Sequence, residues 1–421
     1  MDGNRTTKMM PALVYDLNAV RWTVCKVAGW VVPKVFWSNF SNLRPRSVPV
    51  PSLPSEHWVR LKTVLGGICG TDMMSIMQRQ HPASILQVFS SFPAVLGHEN
   101  VAVVEEAGSK VDQWQPGDRV VVEPTLSCAT REIKPICPQC KAGHFTLCSN
   151  FRTGPLPVGY MIGWNSFTGG SWAPYFVAHE SQLYRVPDEI SDEEAVLVDP
   201  MAGALHAVLR YKPADNDTVL ILGAGVLGMG VAAAIRALSG KCRLWALDFD
   251  HRQLEKMQRF GVEEMICVDH ADPQSRRYKK VAERVNGRVI PSKFGHQAFI
   301  GGFDVVYDCV GTGKSLTDAL KYAAPRSTVV EVGTSQITLV DTAPLWFDEL
   351  NLIGANGRAI EKYGRKKMHT YEIVFELIKQ GKLDLTGLLT HRFGIEQYRE
   401  AFEVLVNRNK SKAIKVAFTH E

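Results

Sequence analysis

Val219-Leu-Ile-Leu-Gly-Ala-Gly-Val-Leu-Gly228 decides the reading of this chain, together with the alanine-rich run at 229–238 that follows it. A short apolar β-forming run meets Gly223, Gly225 and Gly228 in a G-x-G-x-x-G spacing, and a helix-forming segment begins at once with Val226 and Leu227 in its first turn. Strand, glycine turn and helix in this order make a nucleotide-binding βα unit. The first glycine permits the tight turn, the second lets the backbone approach a pyrophosphate, and the third lets the helix pack against the strand. The helix N-terminal amides then face the anion. Twenty residues beyond Gly228, a second strand-like run at 243–247 ends at Asp248. A carboxylate there can accept hydrogen bonds from the adenosine ribose hydroxyls, which favours NAD and repels the extra phosphate of NADP.

The same period continues from Thr218 onward. Strand-like runs at 219–222, 243–247, 265–268, 304–308, 328–332 and 350–353 alternate with helical or connecting segments, as a doubly wound α/β sheet requires. Val310-Gly-Thr312 and Val332-Gly-Thr334 end two of these strands, so Val310 and Gly333 are expected at the cofactor crevice. Residues 271–297 carry seven Lys or Arg against two acids, which reads as a solvated helix rather than a binding surface.

At 421 residues the chain exceeds one ordinary core and implies two or three domains. With 45% apolar and 22% charged residues it has globular composition, and a net charge of +5 over this length gives no argument for nucleic acid. The opening residues are polar, without a signal-peptide pattern, and the apolar stretch at 20–37 is broken by Lys26, Pro33 and Lys34. A cytoplasmic protein without membrane or nucleic-acid partners is expected. Of nine cysteines, Cys128, Cys137, Cys140 and Cys148 fall within 21 residues, a metal-binding rather than a disulfide pattern.

Ahead of the nucleotide unit, short β-like runs at 12–15, 34–37 and 59–64 alternate with proline-rich connections, as in a small β-rich domain. Gly67-Ile-Cys-Gly-Thr-Asp72 then presents a thiol, a hydroxyl and a carboxylate within four residues. Gly97-His-Glu99 stands just before a strand, and Pro116-Gly-Asp-Arg-Val120 follows.

These motifs, followed by the cysteine cluster and the glycine turn, resemble the zinc-dependent medium-chain alcohol dehydrogenases in identity and order. The resemblance runs from about residue 10 to about 418 and is closest to the branch containing polyol and threonine dehydrogenases. It implies a β-rich GroES-like catalytic domain at 1–202 and 358–421 with a zinc lobe at 128–148, and a Rossmann NAD-binding domain at 203–357. It also implies that Cys69 and His98 ligate a catalytic zinc, while Cys128, Cys137, Cys140 and Cys148 hold a structural one. The third catalytic ligand is expected at Asp199, in Val198-Asp-Pro-Met-Ala-Gly-Ala-Leu-His206. Glu99 is a rival, His206 a weaker one, and Asp199 could instead cap a helix ahead of Pro200.

Asp72 reads as the carboxylate that orients His98, and Thr71 as the first proton acceptor. Met74 stands where many relatives have a relay histidine, and Met74 and Trp164 are candidate substrate-pocket walls. Cys128 sits further back than the family spacing, with residues 129–136 as an inserted loop. The expected activity is NAD-linked, zinc-dependent hydride transfer at an alcohol or polyol carbon, in a dimer or tetramer. An NADPH-dependent carbonyl reductase of the same fold is opposed by Asp248. A non-catalytic nucleotide-binding protein is opposed by the intact Cys69, Thr71, His98 and Asp199 set.

Overall fold

The computed structural model describes residues 8–269, 271–285, 287–291 and 297–420. The polar start at 1–7 and part of the basic 271–297 segment (286 and 292–296) lie outside the described residues. The chain divides into two compact units: Met1–Asp199 with Lys367–Phe375 and Leu385–Glu421, and Pro200–Lys366 with Glu376–Asp384. Residues 358–366 thus group with the second unit.

The second unit is built on a six-stranded sheet of β1 (Thr218–Leu222), β2 (Arg243–Asp248), β3 (Glu264–Cys267), β4 (Phe303–Asp308), β5 (Ala323–Glu331) and β6 (Asn351–Gly354). Their order is β3-β2-β1-β4-β5-β6, with every neighbouring pair parallel. Strands covered on both faces need continuous apolar sequence, and Val219, Leu220, Ile221 and Leu222 are all buried. The order reverses at β1 and β4, where an open α/β sheet leaves a crevice beyond its strand ends.

Between β3 and β4 the chain makes a helix, Gln274–Arg284, and an antiparallel hairpin of Arg288–Pro291 with Gln297–Ile300. The cations of that helix meet acids: Arg276 and Lys280 reach Asp272, Arg277 reaches Asp318, and Arg284 reaches Glu264. These cations of the helix are partnered surface charges.

The first unit carries a seven-stranded sheet. Its main path runs Leu389–Gly394, Lys415–Thr419, Trp58–Gly67, Glu99–Ala107, Arg119–Val122 and Leu183–Arg185, and Tyr175–His179 also pairs with Trp58–Gly67. Trp172, Phe402 and Phe418 pack together beneath it. A smaller sheet joins Leu43–Pro49, Met9–Tyr15 and Ala94–Val95.

One local expectation fails. Residues 34–37 are not a strand but part of a 3-10 turn, Pro33–Trp37, preceded by a helix, Ala19–Ala28, whose Asn18 side chain accepts from the Arg21 N–H. Proline at the first position presets the turn and overrides the β preference of Val35, Phe36 and Trp37. Among the described residues no helix is long and apolar enough to cross a membrane.

Candidate active site

The long strand Trp58–Gly67 delivers Cys69 as the N-cap of a short helix, Gly70–Ile76. Asp72 closes the turn by accepting from the Cys69 N–H at 3.0 Å. Its other oxygen lies 3.3 Å from Nδ1 of His98, which sits just before the strand Glu99–Ala107. Both side chains are buried, and neither Asp72 Oδ1 nor His98 Nδ1 has another hydrogen-bond partner among the described residues. Burial opposes charge on His98. The Asp72 carboxylate and Cys69 nevertheless raise its pKa well above the ordinary histidine value.

Among the described residues, the ligand atoms of Cys69, His98 and Glu99 all lie within 4.8 Å of one another. A thiolate, an imidazole and a carboxylate at that spacing are a donor set suited to zinc. Thr71 Oγ1 is 3.6 Å from Cys69 Sγ, which puts a hydroxyl beside the cluster.

Glu99 is buried against the ammonium of Lys415, which also donates to the Ile68 carbonyl at 3.1 Å. A Cβ at Gly67 would stand 2.4 Å from Glu99 Oε2 and 2.9 Å from Glu99 Cβ, so a larger residue here would displace Glu99. Asn100 ties this strand end to its neighbour, donating to the His98 carbonyl at 3.0 Å and accepting from the Val122 N–H at 2.9 Å.

The second cluster unites Cys128, Cys137, Cys140 and Cys148, again with sulfurs within 4.8 Å of one another. The Cys128–Cys148 and Cys137–Cys148 separations are 3.6 and 3.9 Å. A tetrahedron of zinc–sulfur bonds of about 2.3 Å has edges of about 3.8 Å, so the four sulfurs fit a closed structural site. Burial raises the Cys137 thiol, but the N–H groups of Ser149 and Cys140 bring it down to about 6. Burial pushes Cys140 up to about 11 and Cys148 higher still. Four thiolates at this spacing need a cation.

In the second unit the glycine turn takes the geometry its spacing implies. Gly223 has φ +94°, Gly225 caps the helix Val226–Ala237, and a Cβ on Gly228 would stand 1.9 Å from the Gly223 carbonyl oxygen. Asp248, at the end of β2, folds onto this turn. One of its oxygens accepts from Ala224 N–H at 2.6 Å and the other from Phe249 and Asp250 N–H at 2.6 and 2.9 Å. Val310 follows β4 and approaches Gly223, while Gly333 follows β5 against Gly311, so the ends of β1, β4 and β5 meet at one place.

Comparison with known proteins agrees with this geometry. Residues 55–188 match the alcohol dehydrogenase GroES-like domain, and residues 228–378 match the zinc-binding dehydrogenase domain. The chain is 30% identical over 396 residues to L-idonate 5-dehydrogenase of Vitis vinifera, covering 93% of this chain and 94% of that protein. The chain belongs to the zinc-dependent medium-chain alcohol dehydrogenases.

This dehydrogenase is also 28% identical to L-threonine 3-dehydrogenase of Anaeromyxobacter sp. (strain K), over 87% of this chain and 93% of that protein. The same identity holds with sorbitol dehydrogenase of Arabidopsis thaliana, over 93% and 94%. Among solved structures, 2R,3R-butanediol dehydrogenase from Bacillus subtilis shares the fold with a TM-score of 0.69 at 21% identity, covering 98% of this chain and 100% of that one. The family makes the chain an oxidoreductase acting on alcohol groups, with zinc and a nicotinamide cofactor.

The two carboxylates expected as candidates for the third ligand, Glu99 and Asp199, are placed differently. Asp199 is not a member of the 4.8 Å set with Cys69 and His98. It lies in the first turn of the helix Val198–Arg210 rather than capping it, and its carboxylate accepts from the Tyr371 hydroxyl at 2.5 Å. His206 is not in that set either, and its Nδ1 lies 2.7 Å from the Glu361 carboxylate.

Met74 is half-buried and Trp164 is buried. Three residues escaped sequence reading: Lys415 beside Glu99, Asn150, which donates to Cys128 Sγ at 3.2 Å, and Arg131 inside the lobe. The only sequence signal for Lys415 is a charge inside an otherwise apolar strand.

Proposed function

We propose that this dehydrogenase oxidises a polyol-type or other secondary alcohol with NAD, reversibly, at a zinc held by Cys69, His98 and Glu99. The convergence of those three donors beside the Thr71 hydroxyl carries the reading. Zinc supplies Lewis acidity that polarises the substrate hydroxyl and lowers its pKa, and NAD supplies the hydride acceptor. Thr71 would accept the hydroxyl proton while handing its own to water or the cofactor ribose hydroxyls, and so act as a relay. Asp72 fixes the His98 ring, and Lys415 neutralises one oxygen of Glu99 while leaving the other for the metal. The Gly225 turn presents amides to the pyrophosphate, and Asp248 accepts the ribose hydroxyls.

Asp248 also supports NAD over NADP, and so weighs against a carbonyl reductase that uses NADPH. Fold likeness does not choose, because one structural neighbour, from Sinorhizobium meliloti 1021, is bound to NADP and another, from E. coli CFT073, is complexed with NADH. The relatives named for idonate, threonine and sorbitol put polyols and hydroxy amino acids first among substrates to test. A second copy is the proposed partner of the β6 sheet edge, where Leu339, Trp346 and Phe347 stand exposed in the chain that leads into it.

The test is NADH formation by zinc-replete protein over a panel of simple alcohols, polyols and β-hydroxy amino acids, with NADP in parallel. NAD-dependent turnover abolished by a chelator supports the proposal. Bound zinc and NAD without turnover on any substrate moves the reading to a non-catalytic nucleotide-binding protein.

A further inference from the structure

The segment between the strands Met9–Tyr15 and Leu43–Pro49 serves neither metal cluster nor the cofactor turn. Its helix, Ala19–Ala28, buries Cys25 and turns the opposite face outward. That outer face is apolar: Val20, Val24 and Val27 recur at helical spacing, Val31 continues the stripe past the helix end, and Trp30 stands beside it. Trp30 and Val31 are 85% and 84% exposed, and Val20 and Val27 nearly 70%. A surface helix ordinarily turns such a stripe inward, and a contiguous exposed apolar patch marks an interaction site.

Charge selects the occupant. No acid occurs between Asp16 and Glu56, while Arg21, Lys26, Lys34, Arg44 and Arg46 all fall there. Asp16 meets Arg44 and Arg46, and Glu403 meets Lys34. Two carboxylates thus stand against five cations. Among the described residues no carboxylate pairs with Arg21 or Lys26. The Lys26 ammonium donates to the Gln78 carbonyl at 2.6 Å and lies 5.8 Å from the Trp22 ring centre. A second copy docked on this face would set these cations against their twins. An anionic phospholipid surface accepts both the apolar stripe and the cations beside it.

We propose that residues 17–42 are a peripheral membrane-docking element, in which Trp30 and the valine stripe enter the headgroup boundary of an anionic bilayer with Arg21 at phosphate level. Tryptophan is favoured at that depth. The breaks at Lys26, Pro33 and Lys34 that rule out a spanning helix do not oppose one lying on the surface.

The test is flotation of the full-length, zinc-loaded protein with phosphatidylcholine vesicles, with and without phosphatidylserine. Binding to phosphatidylserine vesicles that weakens with salt is expected. Arg21→Glu should lower it about thirtyfold, from two charge units near the surface. Val27→Glu with Val31→Glu should abolish it while zinc content and thermal midpoint stay unchanged, because both side chains face solvent. Equal binding to neutral vesicles, or undiminished binding by the double variant, overturns the proposal. So does a wild-type oligomer that the double variant dissociates while neither protein binds vesicles, an outcome that would assign the stripe to self-association.

Discussion

Replacing Arg131 by methionine should loosen the cysteine lobe and release its zinc. The guanidinium is fully buried and donates five hydrogen bonds to backbone carbonyls: Leu126 and Leu156 at 3.1 Å, and Thr153, Pro157 and Gly159 at 2.9 Å. These bonds tie the 129–136 insertion to the chain beyond Cys148, so that Cys128 reaches the other three sulfurs from an unusual distance in sequence. Hydrogen bonds from a charged donor contribute about 1.5 kcal/mol each at the low end, or roughly 7–8 kcal/mol for five. Removing the charge recovers several kcal/mol of its desolvation cost. The net loss is about 3–5 kcal/mol. It corresponds to a fall of roughly 10 °C in thermal midpoint for a unit of this size, and to zinc retention weaker by about a hundred- to a few thousandfold. The assay is zinc release to a chromogenic chelator along a urea series, with Arg131→Lys, which keeps the charge but has fewer donors, falling between the two. Wild-type zinc retention and midpoint in Arg131→Met would show that the insertion is a slack loop and that the guanidinium does not organise it.

Asp248→Ala removes the carboxylate proposed for the ribose hydroxyls. The KM for NAD should rise about ten- to a hundredfold while turnover with NADP appears, and an unchanged cofactor preference in steady-state kinetics would refute the role of Asp248. Glu99→Gln should lose about one zinc per chain by elemental analysis, whereas Asp199→Asn, which keeps the packing around Tyr371, should lose none. The reverse pattern would make Asp199 the third ligand. Gly228→Ala forces a Cβ to 1.9 Å from the Gly223 oxygen. It should cost about 3 kcal/mol in urea unfolding and abolish NADH binding followed by fluorescence. Trp346→Glu, at an exposed site beside the sheet edge, should reduce the mass seen by light scattering without altering zinc content.

The second unit was legible because its physics is local. Buried parallel strands must be largely apolar, so the runs at 219–222 and 305–307 announce themselves, and each helix that follows carries its own turn signal. The cysteine lobe was legible for a similar reason, since sulfurs close in sequence are readily brought to one metal. The helix Ala19–Ala28 was missed although Val20, Val24 and Val27 have its period, because periodicity marks an apolar face without saying which way it points.

Lys415 and Glu99 are 316 residues apart, and nothing in either neighbourhood specifies the other. Burying a carboxylate beside a candidate cation site requires a countercharge, but only the fold decides which strand supplies it. The same limit governs the third zinc donor. Position in a family motif places Asp199 near the metal, whereas ligation depends on which carboxylate oxygen reaches it. Here Tyr371 holds Asp199 by a 2.5 Å hydrogen bond, and Glu99, adjacent to His98 at the start of one strand, joins the donor set. His98 just before this strand and Glu99 at its start are adjacent in the chain, so on the proposed donor set one backbone segment would supply two of the three donors. Cys69, held at its N-cap by Asp72, then needs to be placed by only one other element.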